Sequence, residues 1–388
     1  MISWKLKTRG QRPIGLDIGH NSIKMLQLAI NGGHISILAA DKTPLDSSIN
    51  GDGEEGRTFI ISAIKRMMAE GNFRGRSVVS CLPNDSLKIT SLRLAEVETQ
   101  EIEQVLRKEV SQRFGLDPDK DAMNYLLAGN VRQGEEIKNE LILFAVDNET
   151  VKNHIQMLEE AELKPVAIDS IPCALFRSFE RSLRRQEDKE YTVVFVDLGS
   201  RFTTVVFGRG GKISFVKQIP IGGEKFNQDI AAKLGVSINE AEMLRGKLRL
   251  ERSRLGPHRH AAPPQKTAND DLLDASTRQV MVDAIGAIAE ELAREISLCF
   301  RYYTVTFRGK RVERAVCAGG EAYENILLNV LKRQLTVEIE VAQPLKGFDM
   351  MNVKFDSDKR GLLCEWAVAV GLSLNGWKGV PETQLRSF

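Results

Sequence analysis

Apolar β-branched runs alternate with short polar breaks over the first eighty residues, and the same rhythm returns near residue 192. Period-2 alternation and turn residues predict two strands before residue 31, a return strand over His34 to Ala40 and a strand over Ser77 to Leu82. Between them Phe59, Ile60, Ala63, Ile64 and Met67 fall at helical spacing, predicting a helix over Gly56 to Glu70. Strand-like alternation over Leu87 to Leu94, Met123 to Asn130 and Glu140 to Val146 is interleaved with helices from Thr99 and over Val151 to Glu162. That order, β, α, β, β, α, predicts a small α+β unit. Val166 to Asp169 is then a strand leading into a helix over Ser170 to Leu183.

The second half repeats the plan. Hairpin strands run to Ile213–Pro220, a helix opens at Ile221-Gly222-Gly223-Glu224, and Val236 to Arg249 continues helical. Thr277 to Tyr303 predicts a long amphipathic helix, with Val280, Ala284, Ile288, Leu292, Ile296 and Leu298 inward. An apolar strand ends at Gly319-Gly320, and Gly361 to Leu374 reads as a helix whose Ala367, Ala369 and Gly371 permit close packing on another helix.

Chemistry concentrates at the breaks. Gly15-Leu16-Asp17-Ile18-Gly19-His20-Asn21-Ser22-Ile23-Lys24 and Phe195-Val196-Asp197-Leu198-Gly199-Ser200-Arg201-Phe202-Thr203-Thr204 both pass from an apolar strand through Asp-x-Gly into a returning strand. Backbone N–H groups at such a tip suit phosphate oxygens, and the Asp at its mouth suits Mg²⁺ through the cation's water shell. Two such turns face to face would clamp a Mg²⁺–nucleotide between related halves. Lys24 is placed to reach a phosphate, and the Gly319-Gly320 break lets a planar ring approach the backbone.

Composition narrows the partners. A formal net charge of +2, from 54 Lys and Arg against 52 Asp and Glu, argues against a dedicated nucleic-acid binder. The five scattered cysteines read as buried thiols of a reducing compartment, and no stretch has the apolar length of a membrane span. The expectation is a cytoplasmic protein. The basic residues of Met1 to Arg12 are either a mobile lead-in or a weak contact with an anionic membrane. The proline-bearing tract around 252–271 reads as a disordered loop, its His258-x-His260 solvated or, less in keeping with its neighbours, metal-binding.

These motifs resemble the actin-like ATPase superfamily. The resemblance implies an α/β, ribonuclease H-like two-lobed ATPase fold with a small α+β subdomain inserted in the first lobe. It implies a first core over 13–82 plus 165–185, an insert over 83–164, a second core over 186–220 plus 315–388 and a helical unit over 221–314. The insert's position is similar to that of FtsA and PilM. Ala161-Glu162-Leu163-Lys164-Pro165 and Ala367-Val368-Ala369-Val370-Gly371-Leu372 fit the PilM family better, as does a tail, Lys378 to Phe388, without the apolar face of a membrane helix.

The same resemblance implies ATP and Mg²⁺ as ligands, with Asp17 and Asp197 on either side of the metal. Gly19, His20, Asn21 and Ser22, with Gly199, Ser200, Arg201 and Thr203, would hold phosphates, and Lys24 would neutralise them. Gly222, Gly223, Glu242, Arg245, Gly319 and Gly320 would border ribose and adenine. Arg201 either adds a phosphate contact or crowds its turn. Asp169 either orients a hydrolytic water or caps the helix after it. The implied function is a scaffold of type IV pilus assembly with slow or no hydrolysis. Its implied partner is the N-terminal cytoplasmic tail of a PilN-like bitopic membrane protein, which would hold it at the inner membrane. The tail would lie along the edge of the Ser86 to Leu94 strand or pack between that strand and the Thr99 to Phe114 helix, and self-association is a further expectation. An FtsA-like division protein and a small-molecule kinase are the alternatives.

Overall fold

The computed structural model describes residues 10–31, 34–45, 53–95, 99–133, 135–180, 191–254, 273–307, 311–351, 353, 355 and 363–376. Residues 1–9, the histidines of the 255–272 segment and the tail beyond 376 lie outside the described residues, and with them the expectations placed there.

The first sheet is built from β1 (Gln11–Ile18), β2 (Ser22–Asn31), β3 (His34–Pro44), β4 (Ser77–Cys81) and β8 (Lys164–Asp169), in the order β3-β2-β1-β4-β8. Helix α1 (Glu54–Glu70) lies between β3 and β4 in the chain. The second sheet uses β9 (Thr192–Leu198), β10 (Thr203–Arg209), β11 (Lys212–Ile219), β12 (Val312–Ala318) and β13 (Glu338–Val341), in the order β11-β10-β9-β12-β13. In both sheets the first three strands are antiparallel neighbours and the last two run parallel. One mixed five-stranded pattern used twice is the duplicated, actin-like α/β fold.

Helices α4 (Ile171–Glu180) and α9 (Ala367–Ser373) cross between the sheets, α9 seated on β1 and β2. Small residues make this possible. A Cβ on Gly371 would run into the backbone carbonyl of Ala174, and one on Gly15 into that of Ala369. The Ala/Gly-rich composition near residue 370 therefore does what its sequence predicts.

Between β4 and β8 lie β5 (Lys88–Ala95), α2 (Thr99–Phe114), β6 (Ala122–Gln133), β7 (Glu136–Val146) and α3 (Asn148–Glu160), the order read from patterning. The strands form an antiparallel sheet, β5-β7-β6. Ile102, Leu106 and Val110 of α2 cover one face, against Leu92, Leu141 and Leu143. The other face, with Leu126, Ile142 and Phe144, joins the main core beside β11. Helix α3 lies against α1 and β8, with Arg57 paired to Glu160 at 2.8 Å and donating to the Asn153 carbonyl.

The second half carries α5 (Gly223–Leu234), α6 (Ile238–Arg254), α7 (Ala275–Thr306) and α8 (Asn325–Gln334). Ser237 and Glu240 form a reciprocal capping box at the start of α6. In α7 the buried stripe is Met281, Ile285, Ala289, Leu292, Ile296, Cys299 and Tyr303. Leu298, expected inward, is exposed, because apolar residues surround the last turns of α7 and leave its periodicity ambiguous. Among the described residues no helix is long and apolar enough to cross a membrane.

Candidate functional site

The two Asp-x-Gly turns fold alike. Gly19 N–H donates to the Ser22 carbonyl and Gly199 N–H to the Phe202 carbonyl, each at 3.0 Å. These two amides close their own turns, so a phosphate cradle falls to the residues between. The tips meet, Ser200 Oγ donating to Asn21 Oδ1 at 2.8 Å.

Behind the tips the strands carry charge inward. On β1, Asp17 is buried, and Lys24, its register partner on β2, donates from Nζ to Asp17 Oδ2 at 3.0 Å. Burial opposes the Lys24 charge, but Asp17, with Asp197 and Glu365 further off, outweighs it and raises the ammonium pKa. On β9, Asp197 is pushed from 3.8 up to about 7, chiefly by burial and then by the negative charge of Asp17, with Lys24 pulling the other way. An unpaired carboxylate with that affinity for a proton opposite a second carboxylate suits a divalent cation, which would replace the proton. Asp17, Asp197 and Lys24 therefore fit the metal and phosphate they were assigned. Lys42, cross-strand from Lys24, and Glu365, 3.6 Å from Lys42 Nζ, extend the charge cluster and escaped the sequence reading.

The neighbouring turn is shaped by close approach. Gly319 adopts φ +90°, a conformation that glycine takes without strain, and a Cβ there would stand 2.6 Å from Asp197 Oδ1. Gly320 opens on free space. The start of α5 docks on the second turn: Gly223 N–H donates to the Gly199 carbonyl and Glu224 N–H to that of Ser200. A Cβ on Gly222 would meet those same carbonyls. Thr203 is buried and spends its hydroxyl on the Ile221 carbonyl at 2.7 Å, which makes it a brace for this docking.

Arg245 and Gly223 do not line an open slot. Arg245 is buried, ion-paired to Glu321, bonded to the Gly223 carbonyl and Asn227 Oδ1 at 2.9 Å, and stacked over Phe226. Arg249 joins it on Glu321 and reaches Glu324 at 2.9 Å. The carboxylate of Glu321 fills the space in front of Gly223. Glu242, on the same helix, is half-buried. The border of any ring near Gly320 is thus a buried Arg–Glu network of which sequence reading named only Arg245. Its signal was present as arginines four apart on α6 and glutamates three apart after Gly320.

Asp169 is committed elsewhere. Its Oδ2 accepts from Arg177 Nη1 at 2.7 Å and Asn375 Nδ2 at 2.8 Å, and its Oδ1 from the Ser170 amide. It stands two residues before the first residue of α4 and ties that helix to α9 through Arg177, which also donates to the Gly371 carbonyl. The geometry supports an anchoring role at the helix start, with both carboxylate oxygens already accepting hydrogen bonds. Arg201, finally, neither crowds its turn nor stands alone. Its Nε donates to Glu224 Oε2 at 3.1 Å, and its Nη1 lies 3.9 Å from Asp85.

Fold and site together define an actin-like fold with a cluster of buried charge where two related halves meet. The family of the type IV pilus assembly protein PilM matches residues 15–285, and the chain belongs to that family. Among solved structures, a PilM–PilN type IV pilus biogenesis complex superimposes with a TM-score of 0.73 at 22% identity, over 95% of this chain and 98% of that one. The ethanolamine utilization protein EutJ of Carboxydothermus hydrogenoformans follows at 0.52 and 12% identity, over 94% and 90%. The cell division protein FtsA of Streptococcus pneumoniae is 21% identical over 254 residues, 60% of this chain and 54% of FtsA. The chain thus spans about half the length of that curated relative.

Proposed function

We propose that this chain is an ATP-binding scaffold of type IV pilus assembly that holds the cytoplasmic tail of a PilN-like membrane protein. The observation that carries the nucleotide half is the convergence of Asp17, Lys24 and Asp197 behind two touching phosphate-type turns. Bound there, Mg²⁺ would supply charge for polyphosphate. Asp17 and Asp197 would hold the ion's shell, Lys24 would face phosphate oxygens, and the open side of Gly320 would admit the ring. Commitment of Asp169 to Arg177 and Asn375 favours a persistent bound state over rapid turnover, as a scaffold requires.

The partner half rests on family membership and on the likeness to a PilM–PilN complex. The apolar face of α2 is already used by the small sheet, which weighs against packing of the tail between strand and helix. The outer edge of β5 is the better one, where an extended peptide would add a strand. Such a partner would keep the protein at the inner membrane. The test is titration of a labelled tail peptide against one N-methylated at alternate backbone positions. Loss of binding at every second position supports strand addition on β5; indifference to N-methylation contradicts it.

A further inference from the structure

Asp85 lies at the root of the insert, in the turn between β4 and β5, yet it reaches both phosphate-type turns. Its Oδ2 stands 3.8 Å from His20 Nε2 on the first turn and 3.9 Å from Arg201 Nη1 on the second. Its neighbour Asn84 is fastened to the second sheet, donating to Thr204 Oγ1 at 3.1 Å and accepting from Gln218 Nε2 at 2.8 Å. A carboxylate of the insert therefore occupies the place between the two tips where an anion would be attracted.

The contacts are weak in kind. Both distances exceed hydrogen-bond reach, and side-chain exposures of 28%, 39% and 30% for His20, Asp85 and Arg201 leave the group in contact with water. A phosphate oxygen carries more charge and forms shorter, charge-assisted bonds to the same groups. On the nucleotide reading, with the ring at Gly319-Gly320, the phosphate chain would run toward the tips, and the group meeting His20 and Arg201 would be the terminal one. The Asp17–Lys24 pair, by contrast, is enclosed.

We infer that Asp85 is an internal competitor for the terminal phosphate, a specificity-determining residue that sets how strongly the cleft prefers a nucleoside triphosphate over a diphosphate. This rests on the nucleotide reading above.

The experiment is calorimetric titration of ATP and of ADP, each with Mg²⁺, into the full chain as wild type, Asp85→Asn and Asp85→Ala. Both variants change a partly exposed side chain, and the isosteric one guards against a folding artefact. ATP is expected to bind about two- to fivefold more tightly in both variants, the gain that removing a weak, partly exposed competing carboxylate allows. ADP is expected to change by less than about twofold, since its chain stops short of the pair. Unchanged or weakened ATP binding, or equal tightening of ATP and ADP, overturns the inference and leaves the nucleotide reading standing. No ATP binding by any of the three proteins defeats the nucleotide reading and this inference with it.

Discussion

Replacing Asp197 by Asn removes a carboxylate that the folded protein holds in its protonated form up to about pH 7. Because this group binds its proton more tightly folded than unfolded, the native state carries the extra proton between the two pKa values. Stability from this site therefore falls as pH rises from about 4 to about 7 and is level above that. The displacement from 3.8 to about 7 sets a ceiling of about 4 kcal/mol. The Asp197 side chain keeps some solvent contact and Lys24 offsets part of the cost, so about 2 kcal/mol is the working figure. Paired thermal melts without divalent cation should then show Asp197→Asn more stable than wild type above neutral pH by about 2–3 °C. The difference should shrink steadily toward about pH 4. Millimolar Mg²⁺ should stabilise wild type and not the variant. A difference independent of pH, or one that grows toward acid, would refute the reasoning.

At the α4–α9 crossing, Gly371→Ala drives a methyl group into the Ala174 carbonyl and should lower the urea midpoint by the equivalent of about 2–3 kcal/mol. Gly286→Ala, whose added methyl meets open space in the middle of α7, should instead raise stability by about 0.5–1 kcal/mol in the same assay. Arg245→Met leaves Glu321 and Glu324 buried with Arg249 as their remaining arginine and should cost about 3 kcal/mol on denaturation; near-neutrality would show the network is not buried as described. Asp169→Asn breaks a buried ion pair and should destabilise by about 3 kcal/mol while leaving whatever steady-state ATP turnover the wild type shows unchanged. Loss of measurable turnover in that variant would restore the water-orienting role.

The hairpins and the duplication were legible because strand alternation and Asp-x-Gly are local signals, and both turns close with the same hydrogen bond. The helix of small residues was legible for the same reason, since Gly371 can only mean close approach there. What escaped depends on chain segments far apart in sequence. Glu321 meets Arg245 across 76 residues, and no periodicity joins them. Asp85 reads as part of a polar Pro-Asn-Asp-Ser turn, and only the return of the insert toward the second sheet brings it to Arg201. Helix α3 follows the insert's strands in the chain, yet it also packs on α1 and β8, which bracket that insert, a contact that adjacency in sequence does not reveal. Thr203 and Gly223 sit within the motifs that named them, but their neighbours turn the hydroxyl and the Cα face away from an open cleft.

In the proposed function two related turns clamp a Mg²⁺–nucleotide around Asp17, Lys24 and Asp197. Equilibrium titration of ATP into wild type and Asp17→Ala, with Mg²⁺ and with chelator, tests it most directly. The account predicts saturable binding to wild type that requires Mg²⁺ and weakens at least about tenfold in Asp17→Ala, the loss of one carboxylate from the ion's shell and of the partner that holds Lys24. Equal affinity of the two proteins, or binding indifferent to Mg²⁺, would contradict it.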